Sequence, residues 1–316
     1  MAIYGANLVL LLKFRETTLK CSLIVETSLW FGNVVLIAIS LNFILFNNYI
    51  VNPFRVVLLT AGLIGVEFAS RIILGGNLQP IIIIGYSLGA FLVALYFDWL
   101  IPILTYDRMN LWLILWLNLF IIGSFINMIE GWFFTTIYSG SLDFLFGAMV
   151  VLVISGIQSA ISAIIIPNQG EETFQSELMN QLKQRGASAF IKALILGGFG
   201  YFPIYFIFGM LISPFIIKYY NDPSLGLVIP PFSLIIPLEV LRGFMFVGSL
   251  LPLIVGLKTR RTIFIACAAM LFIPGSLIPM IGDVGLPAQI IPYHTVELFC
   301  DSTVYGYILA RLFTPK

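Results

Sequence analysis

The stretch PIIIIGYSLGAFLVALYFDWLIPIL occupies residues 80–104 and contains one charged side chain, Asp98. It is longer than the ~20 apolar residues that carry an α-helix across a bilayer. The whole chain shares this character, because 60% of its 316 residues are hydrophobic and only 10% are charged. Soluble domains contain about 25% charged residues. The sequence therefore predicts an all-α integral membrane protein with lipid as its main solvent.

The apolar runs predict a polytopic protein with about nine transmembrane helices. The predicted spans are residues 29–47, 54–74, 80–104, 110–129, 142–166, 191–217, 232–257, 262–281 and 289–312. Residues 3–25 are a weaker candidate, because each of the charges between Lys13 and Lys20 would cost about 2.5–3.5 kcal/mol at mid-depth. We therefore predict that residues 1–28 form an N-terminal segment at the membrane interface.

The longest polar segment, residues 167–190, separates two helical membrane halves, 29–166 and 191–316. Apolar side chains recur every fourth residue from Phe174 to Leu182, which predicts an amphipathic helix on the membrane surface. This segment is interpreted as a cytoplasmic linker.

Basic residues in short loops indicate the orientation of the chain, because cytoplasmic loops carry an excess of Lys and Arg. The linker, the loop at 258–261 and the C-terminus are the basic segments of the second half. We therefore predict a multi-pass protein of the cell membrane with a cytoplasmic C-terminus. Nine spans would place the basic N-terminal residues outside, which conflicts with the same rule and leaves the N-terminal topology open.

Two spans contain residues that break helices. The run GGFGYFP at 197–203 is predicted to interrupt the sixth span, and Pro274 and Pro279 lie inside the eighth. Broken helices expose backbone groups that need protein or water as partners, and in transporters they often form the binding site. Kinks that serve packing alone are the alternative explanation.

A weak internal repeat relates the two halves. Glu67 of the second span corresponds to Glu239 of the seventh, and Glu130 and Glu297 follow two spans later. The sequences after the later glutamates, GWFFTTIYS and LFCDSTVYG, share a threonine and a tyrosine at equal offsets. We interpret this as duplication of a helical unit, a plan that many transporters use. Chance agreement among apolar residues is the alternative.

Ionisable side chains inside the spans give the strongest functional signal, because each is costly in lipid and is usually paired or faces a watery cavity. The candidate substrate- or ion-binding residues are Glu67, Arg71, Glu239, Arg242, His294, Glu297 and Asp301. Helical spacing groups them on shared faces of the second, seventh and ninth spans. A rise of 1.5 Å per residue places them in the outer half of the bilayer, with Arg242 and Asp301 at one depth, roughly 10–18 Å down. We infer a polar cluster that opens outward, in which Arg242 and Asp301 are placed to pair.

Three roles fit this cluster. Arginines that neutralise neighbouring glutamates would fix helix register in a purely structural role. In transport, Glu239 or Glu297 would bind a proton or a cation, because burial disfavours a charged carboxylate. In catalysis, Glu239, His294 and Glu297 would form an acid/base pair or a metal site.

Composition bounds the cofactors and partners. Cys21, Cys267 and Cys300 are widely spaced and His294 is the single histidine, so we predict no cofactor, no metal site and no catalytic residues. A net charge of +1 argues against nucleic acid as a partner. The predicted partners are membrane lipids and other integral membrane subunits.

Two C-terminal stretches resemble a group of uncharacterised bacterial polytopic membrane proteins. These stretches are LEVLRGFMFVGSLLPLIVGLK at 238–258 and HTVELFCDSTVYGYILARLF at 294–313. The resemblance implies a membrane fold and no particular function. Glu239-Val-Leu-Arg242 and His294 are also faintly similar to the motif of CAAX-type intramembrane proteases, which has two adjacent glutamates, an arginine and later histidines. This chain lacks the paired glutamates and a second histidine, and its Glu-to-Arg spacing is shorter, which argues against protease activity.

The sequence leaves three classes of function open. The first is a membrane transport or lipid/solute-handling protein with an outward-facing polar cluster inside the helix bundle. The alternative is a non-catalytic membrane subunit of a larger complex, which would dock through its helices because soluble loops are few. The second alternative is an intramembrane enzyme that acts near His294.

Overall fold

The computed structural model describes residues 51–74, 80–281, 287 and 289–314. The predictions for residues 1–28 and for the span 29–47 lie outside these ranges. Within them the secondary structure is helical and contains no β-strand. The all-α prediction is therefore confirmed.

The helices are named here in chain order. They are α1 (Pro53–Ile73), α2 (Pro80–Leu100), α3 (Arg108–Phe120), α4 (Ile126–Phe134), α5 (Ser141–Ile165), α6 (Phe174–Arg185), α7 (Ala187–Tyr220), α8 (Phe232–Gly256), α9 (Arg260–Phe272), α10 (Ile278–Ile281) and α11 (Ile291–Phe313). Short 3₁₀ turns lie at Ile101–Ile103 and Pro223–Leu225. The first π turn (Ile121–Phe125) joins α3 to α4, and the second π turn (Ile273–Leu277) joins α9 to α10.

Local sequence explains where several helices begin. The Asn52 side chain accepts a hydrogen bond from the Arg55 backbone N–H at the start of α1, and Asp107 does the same for α3. Helix α6 begins with a reciprocal cap between Thr173 and Ser176. Such caps satisfy backbone N–H groups that lack a partner in the first turn.

Seven helices of the described residues are long and apolar enough to cross a membrane. They are Pro53–Ile73, Ile82–Ile103, Arg108–Phe134, Ser141–Ile165, Ala187–Tyr220, Phe232–Gly256 and Arg260–Ile281. Together they make the chain a polytopic, membrane-like protein, while the prediction of nine spans is not confirmed.

Helix α11 is long enough to span the membrane but carries several polar residues. It has 23 residues, and Glu297, Asp301 and Ser302 are buried, while Val296 and Tyr307 are exposed. The polar face is turned into the bundle and an apolar face is turned outward. This distribution is what a lipid solvent requires of a helix that carries several polar groups.

The helices pack in two groups with the same internal order. In the first group α2 packs on α1, α1 on α5, and α5 on α3; in the second group α8 packs on α7, α7 on α11, and α11 on α9. The groups meet where α3 contacts α8, where α2 contacts α10, and where the two π turns touch. This order pairs α1 with α7, whereas the glutamate alignment of the sequence pairs α1 with α8.

The predicted surface helix forms as α6, at one end of the bundle. Its apolar stripe is half-buried, and Glu177 on the same side is 3% exposed. The Glu177 carboxylate accepts hydrogen bonds from Thr105 (2.7 Å) and Lys258 (2.6 Å). Helix α6 therefore ties the α2–α3 connection to the α8–α9 connection. We call this end of the bundle the basic end.

The predicted helix breaks are partly wrong. Helix α7 runs without interruption through the run at 197–203 and contains Pro203 and Pro214. The predicted break at Pro274 does occur, inside the second π turn. Proline lacks the N–H needed for the regular helical bond, and a π turn accommodates the local mismatch.

Candidate functional site

Arg242 on α8 is the centre of a buried polar cluster. Its guanidinium is 3% exposed, and its Nη1 lies 2.7 Å from Glu239 Oε2 and 2.5 Å from Glu130 Oε1. Glu239 is fully buried, and Glu130 on α4 is 28% exposed. The ion triad therefore links the two groups of helices inside the bundle.

Aromatic rings surround the same guanidinium. The Arg242 Cζ atom lies 5.4 Å from the ring centre of Tyr201, 5.6 Å from that of Tyr205 and 5.8 Å from that of Phe246. Ring faces attract a cation within about 6 Å, more strongly where water is excluded. These contacts offset part of the cost of removing Arg242 from water.

The close approach of α7 and α8 fixes the height of Arg242. A Cβ atom on Gly243 would lie 2.0 Å from the Gly198 carbonyl oxygen, so only glycine fits at this crossing. The Tyr305 hydroxyl of α11 donates to the carbonyl oxygens of Gly197 (3.0 Å) and Gly243 (3.2 Å). The backbone next to the cluster is therefore held in place by contacts among α7, α8 and α11.

Asp301 on α11 lies beside this triad. It is 1% exposed, and neither carboxylate oxygen has a hydrogen-bond partner among the residues that the structure describes. It borders a cavity of about 20 Å³, which we call the acidic cavity. Its polar lining consists of Asn127, Glu130, Tyr201, Arg242, Ser276, Asp301 and Ser302. A cavity of this size holds about one water molecule.

The predicted pairing of Arg242 with Asp301 is not formed. Both side chains border the acidic cavity, as their equal depth predicts. Arg242 instead bonds to Glu239, three residues before it, and to Glu130. The arginine is thus neutralised without Asp301, which leaves that carboxylate facing the cavity.

His294 and Glu297 form a second pair, on the first turns of α11. His294 Nδ1 lies 2.7 Å from Glu297 Oε2, and the Glu297 side chain is 5% exposed. A Cβ atom on Gly209 of α7 would lie 3.3 Å from Glu297 Oε1. The missing side chain of Gly209 gives the carboxylate room against α7.

The charges of this region do not balance. Its acidic groups are Glu130, Glu239, Glu297 and Asp301, and its basic groups are Arg242 and His294. Even with a charged histidine, the four carboxylates exceed the two cations. Uncompensated charge is costly inside a bilayer, so protons or a bound cation would stabilise the carboxylates of this region that are withdrawn from water.

Glu67 and Arg71 lie apart from this cluster, in the first group. Arg71 Nε donates to Glu67 Oε1 at 3.1 Å, and Arg71 Nη2 donates to the Tyr86 hydroxyl. Glu67 borders a second cavity, of about 90 Å³. The prediction that these two residues share one cluster with the seventh and ninth spans is therefore wrong. Residues at the same depth can lie at different lateral positions in the bundle, and the sequence indicates depth alone.

Asp98 has a structural role at the basic end. Its Oδ2 accepts a hydrogen bond from the Asn52 backbone N–H at 3.0 Å, and Arg55 Nε lies 3.3 Å from its Oδ1. These contacts join the end of α2 to the start of α1. Asp98 is therefore not part of the polar cluster.

Sequence reasoning missed several members of the cluster. Glu130 was placed in a loop after the fourth span, whereas α4 continues to Phe134. Tyr201 and Tyr205 give no signal of their own, because aromatic residues are common throughout the chain. The internal repeat had singled out Glu130 as the counterpart of Glu297, but that alignment did not place it beside Arg242.

Across the residues that the structure describes, no group of three or more His, Cys, Asp or Glu side chains is arranged to hold a metal ion. The carboxylates surround Arg242 and the acidic cavity without converging on one point.

No family model matches the chain, and no curated protein or solved structure shows a match either. The resemblances noted in the sequence therefore stay predictions, and the polar cluster is the feature that indicates a function.

Proposed function

We propose that this protein is a membrane transporter that uses the acidic cavity to bind a proton or a singly charged cation. The observation that carries the proposal is Asp301, a buried carboxylate with no hydrogen-bond partner among the described residues and a water-sized cavity beside it. An ionised carboxylate in such surroundings costs several kcal/mol unless a positive charge or a proton compensates it. Reversible binding of that positive charge would couple the site to an ion gradient.

The position of the less buried ionisable groups supports an access route from the end opposite to the basic end. Glu130 lies four residues from the end of α4 and is 28% exposed, and His294 near the start of α11 is 17% exposed. Asp301 and Arg242 lie deeper. A graded series of carboxylates is the usual form of a proton path in membrane proteins.

Basic residues support an orientation for this route. The basic end carries most of the Lys and Arg side chains of the described residues: Arg55, Arg108, Lys183, Arg185, Lys192, Lys258, Arg260, Arg261 and Arg311. By the positive-inside rule this end faces the cytoplasm. In a cell membrane, the C-terminus would then be cytoplasmic and the acidic cavity would be reached from outside.

The proposal is tested by proton uptake in proteoliposomes. The purified protein is reconstituted with a pH-sensitive dye inside, and a potassium gradient with valinomycin sets an inside-negative potential. We expect uptake above that of empty liposomes, and a loss of at least about tenfold in Asp301→Asn, which removes the titratable group but keeps its shape. The matched control is Asp222→Asn, at an exposed loop, which should retain wild-type uptake.

Two outcomes would overturn the proposal. One is wild-type uptake no higher than that of empty liposomes in either a proton or a sodium gradient. The other is uptake by Asp301→Asn equal to that of Asp222→Asn.

A further inference from the structure

The two π turns occur in matching sequences. Residues 121–129 read IIGSFINMI and residues 273–281 read IPGSLIPMI, with Ile, Gly, Ser, Ile, Met and Ile at the same offsets. Both π turns occupy the first five positions of their sequence. Combined with the equal packing order of the two groups, this match pairs α3–α4 with α9–α10. It is a different correspondence from the one that the glutamates indicated.

The matching turns meet at the centre of the bundle. Asn127 Nδ2 donates to the Gly275 carbonyl oxygen at 2.8 Å. A Cβ atom on Gly275 would lie 2.8 Å from Ile122 Cγ2, so the turns approach each other closely there. A pseudo-twofold axis that relates the two groups of helices would pass through this contact.

The same pseudo-twofold axis would place each of the two cavities at the position of the other. The acidic cavity is lined by α7, α8, α9, α11 and the Gly-Ser pair of the second π turn, together with α4 from the other group. The second cavity is lined by α1, α2, α3, α5 and the Gly-Ser pair of the first π turn, together with α10 from the other group. Each cavity is thus built from equivalent elements.

The cavities differ in size and in charge. The second cavity measures about 90 Å³ against about 20 Å³ for the acidic one. Its polar lining is Glu67, Tyr86, Ser124 and Gln158, and the Glu67 carboxylate is already paired with Arg71 at 3.1 Å. The remaining three groups are neutral and can donate or accept hydrogen bonds. We call it the neutral cavity.

We propose that the neutral cavity binds a small hydrogen-bonding solute with no net charge, and that this solute is what the protein moves. The inference that this solute is transported rests on the proposed function, in which the acidic cavity binds the ion that drives transport. The one carboxylate of the lining is compensated by Arg71. Such a site favours a ligand without net charge, because an unpaired charge buried there would cost several kcal/mol. A volume of about 90 Å³ admits several waters or a solute of a few heavy atoms.

Thiol labelling tests the site without any measurement of flux. Gln158→Cys is made in a background where Cys21, Cys267 and Cys300 are replaced by alanine, and the protein is reconstituted in liposomes. Three methanethiosulfonate reagents are compared: the neutral methyl, the cationic 2-aminoethyl and the anionic 2-sulfonatoethyl compounds. Mass spectrometry gives each labelling rate, divided by the rate with a free thiol in water.

The matched control is Ile157→Cys, the neighbouring residue, which is 46% exposed on the outer face of α5. In lipid its thiol stays protonated and unreactive, since only the thiolate reacts. We expect the neutral reagent to label Gln158→Cys at least ten times faster than Ile157→Cys, and faster than either charged reagent. Adding Ala90→Leu, which narrows the cavity, should slow that labelling.

Each contrary result has a distinct meaning. Equal labelling of Gln158→Cys and Ile157→Cys would refute a solvated site, and equal rates for charged and neutral reagents would refute the preference for uncharged solutes. Labelling as expected together with wild-type proton uptake by Asp301→Asn would keep the neutral cavity as a binding site and refute the proposed coupling.

Discussion

Replacing Arg242 by methionine should destabilise the protein by about 3–5 kcal/mol, the range for removing one partner of a buried ion pair. The reason is Glu239, which is fully buried and lies 2.7 Å from the guanidinium. Without Arg242 its carboxylate would remain in the bundle without a counter-charge. Glu130 is 28% exposed and can be hydrated, so its unpaired carboxylate contributes less to the loss of stability. Methionine has a similar length and is apolar, so lost packing contributes little.

The double variant Arg242→Met/Glu239→Gln identifies the source of that loss. It removes the stranded charge as well as the cation, and replacing both partners of a buried pair is often close to neutral. We therefore expect the double variant to recover most of the stability that the single variant loses. Equilibrium unfolding in mixed micelles of SDS and a mild detergent measures the free energy of unfolding.

The control for this experiment is Arg311→Met, the same change at an exposed position of α11. Surface substitutions usually stay within about 0.5 kcal/mol of the wild type. If Arg242→Met were no less stable than Arg311→Met, the triad would not be a buried ion pair. If the double variant were no more stable than the single one, the loss would come from packing and not from charge.

Gly243→Ala should cost about 1–3 kcal/mol, the range for overpacking, because its Cβ would overlap a backbone carbonyl of α7. Gly248→Ala places its Cβ in open space and should be neutral or stabilising. Thermal unfolding in detergent compares the stability of the two variants. Tyr305→Phe removes a hydroxyl that bonds two carbonyls and should cost about 1–2 kcal/mol in the same assay. Burial raises the pKa of Glu177, but hydrogen bonds from Lys258 and Thr105 outweigh it, so its pKa is lowered from the ordinary 4.5. A lowered pKa gives stability that is present above 4.5 and is lost as the pH falls through the folded-state pKa. Hydrogen exchange of α6 amides, corrected for intrinsic rate, should rise below pH 4.5, and Glu177→Gln should show the faster exchange already at pH 7; pH-independent exchange would contradict this.

Much of the fold could be predicted because lipid imposes a simple rule on sequence. Each spanning helix of the described residues lies at a predicted apolar run, and α6 forms at the predicted amphipathic segment. The amphipathic stripe was visible because the apolar residues recur at the helical period. A break was predicted at Pro274, where the second π turn forms. The first π turn was not predicted, because its sequence contains no proline.

The candidate site was predictable in part. Burial of Glu239, Arg242, Glu297 and Asp301 follows from their position inside apolar runs, which leaves no water for them outside the bundle. Which of these residues form ion pairs could not be predicted. It depends on the direction in which each side chain leaves its helix and on neighbours from helices that are distant in sequence. Arg242 therefore bonds to Glu130, which the sequence placed in a loop.

The depth of Asp301 has an electrical consequence. It lies ten residues from the start and twelve from the end of α11, ~15 Å and ~18 Å by helical rise, so a proton that reaches it from either side crosses about half the membrane. A full crossing is worth ~2.3 kcal/mol per 100 mV, and half of that changes occupancy about sevenfold. With access from outside, an inside-negative potential would raise the proton occupancy of Asp301 even without a pH gradient. Under the proposed transport function, the membrane voltage would therefore set how often Asp301 holds a proton, and depolarisation alone would lower that occupancy.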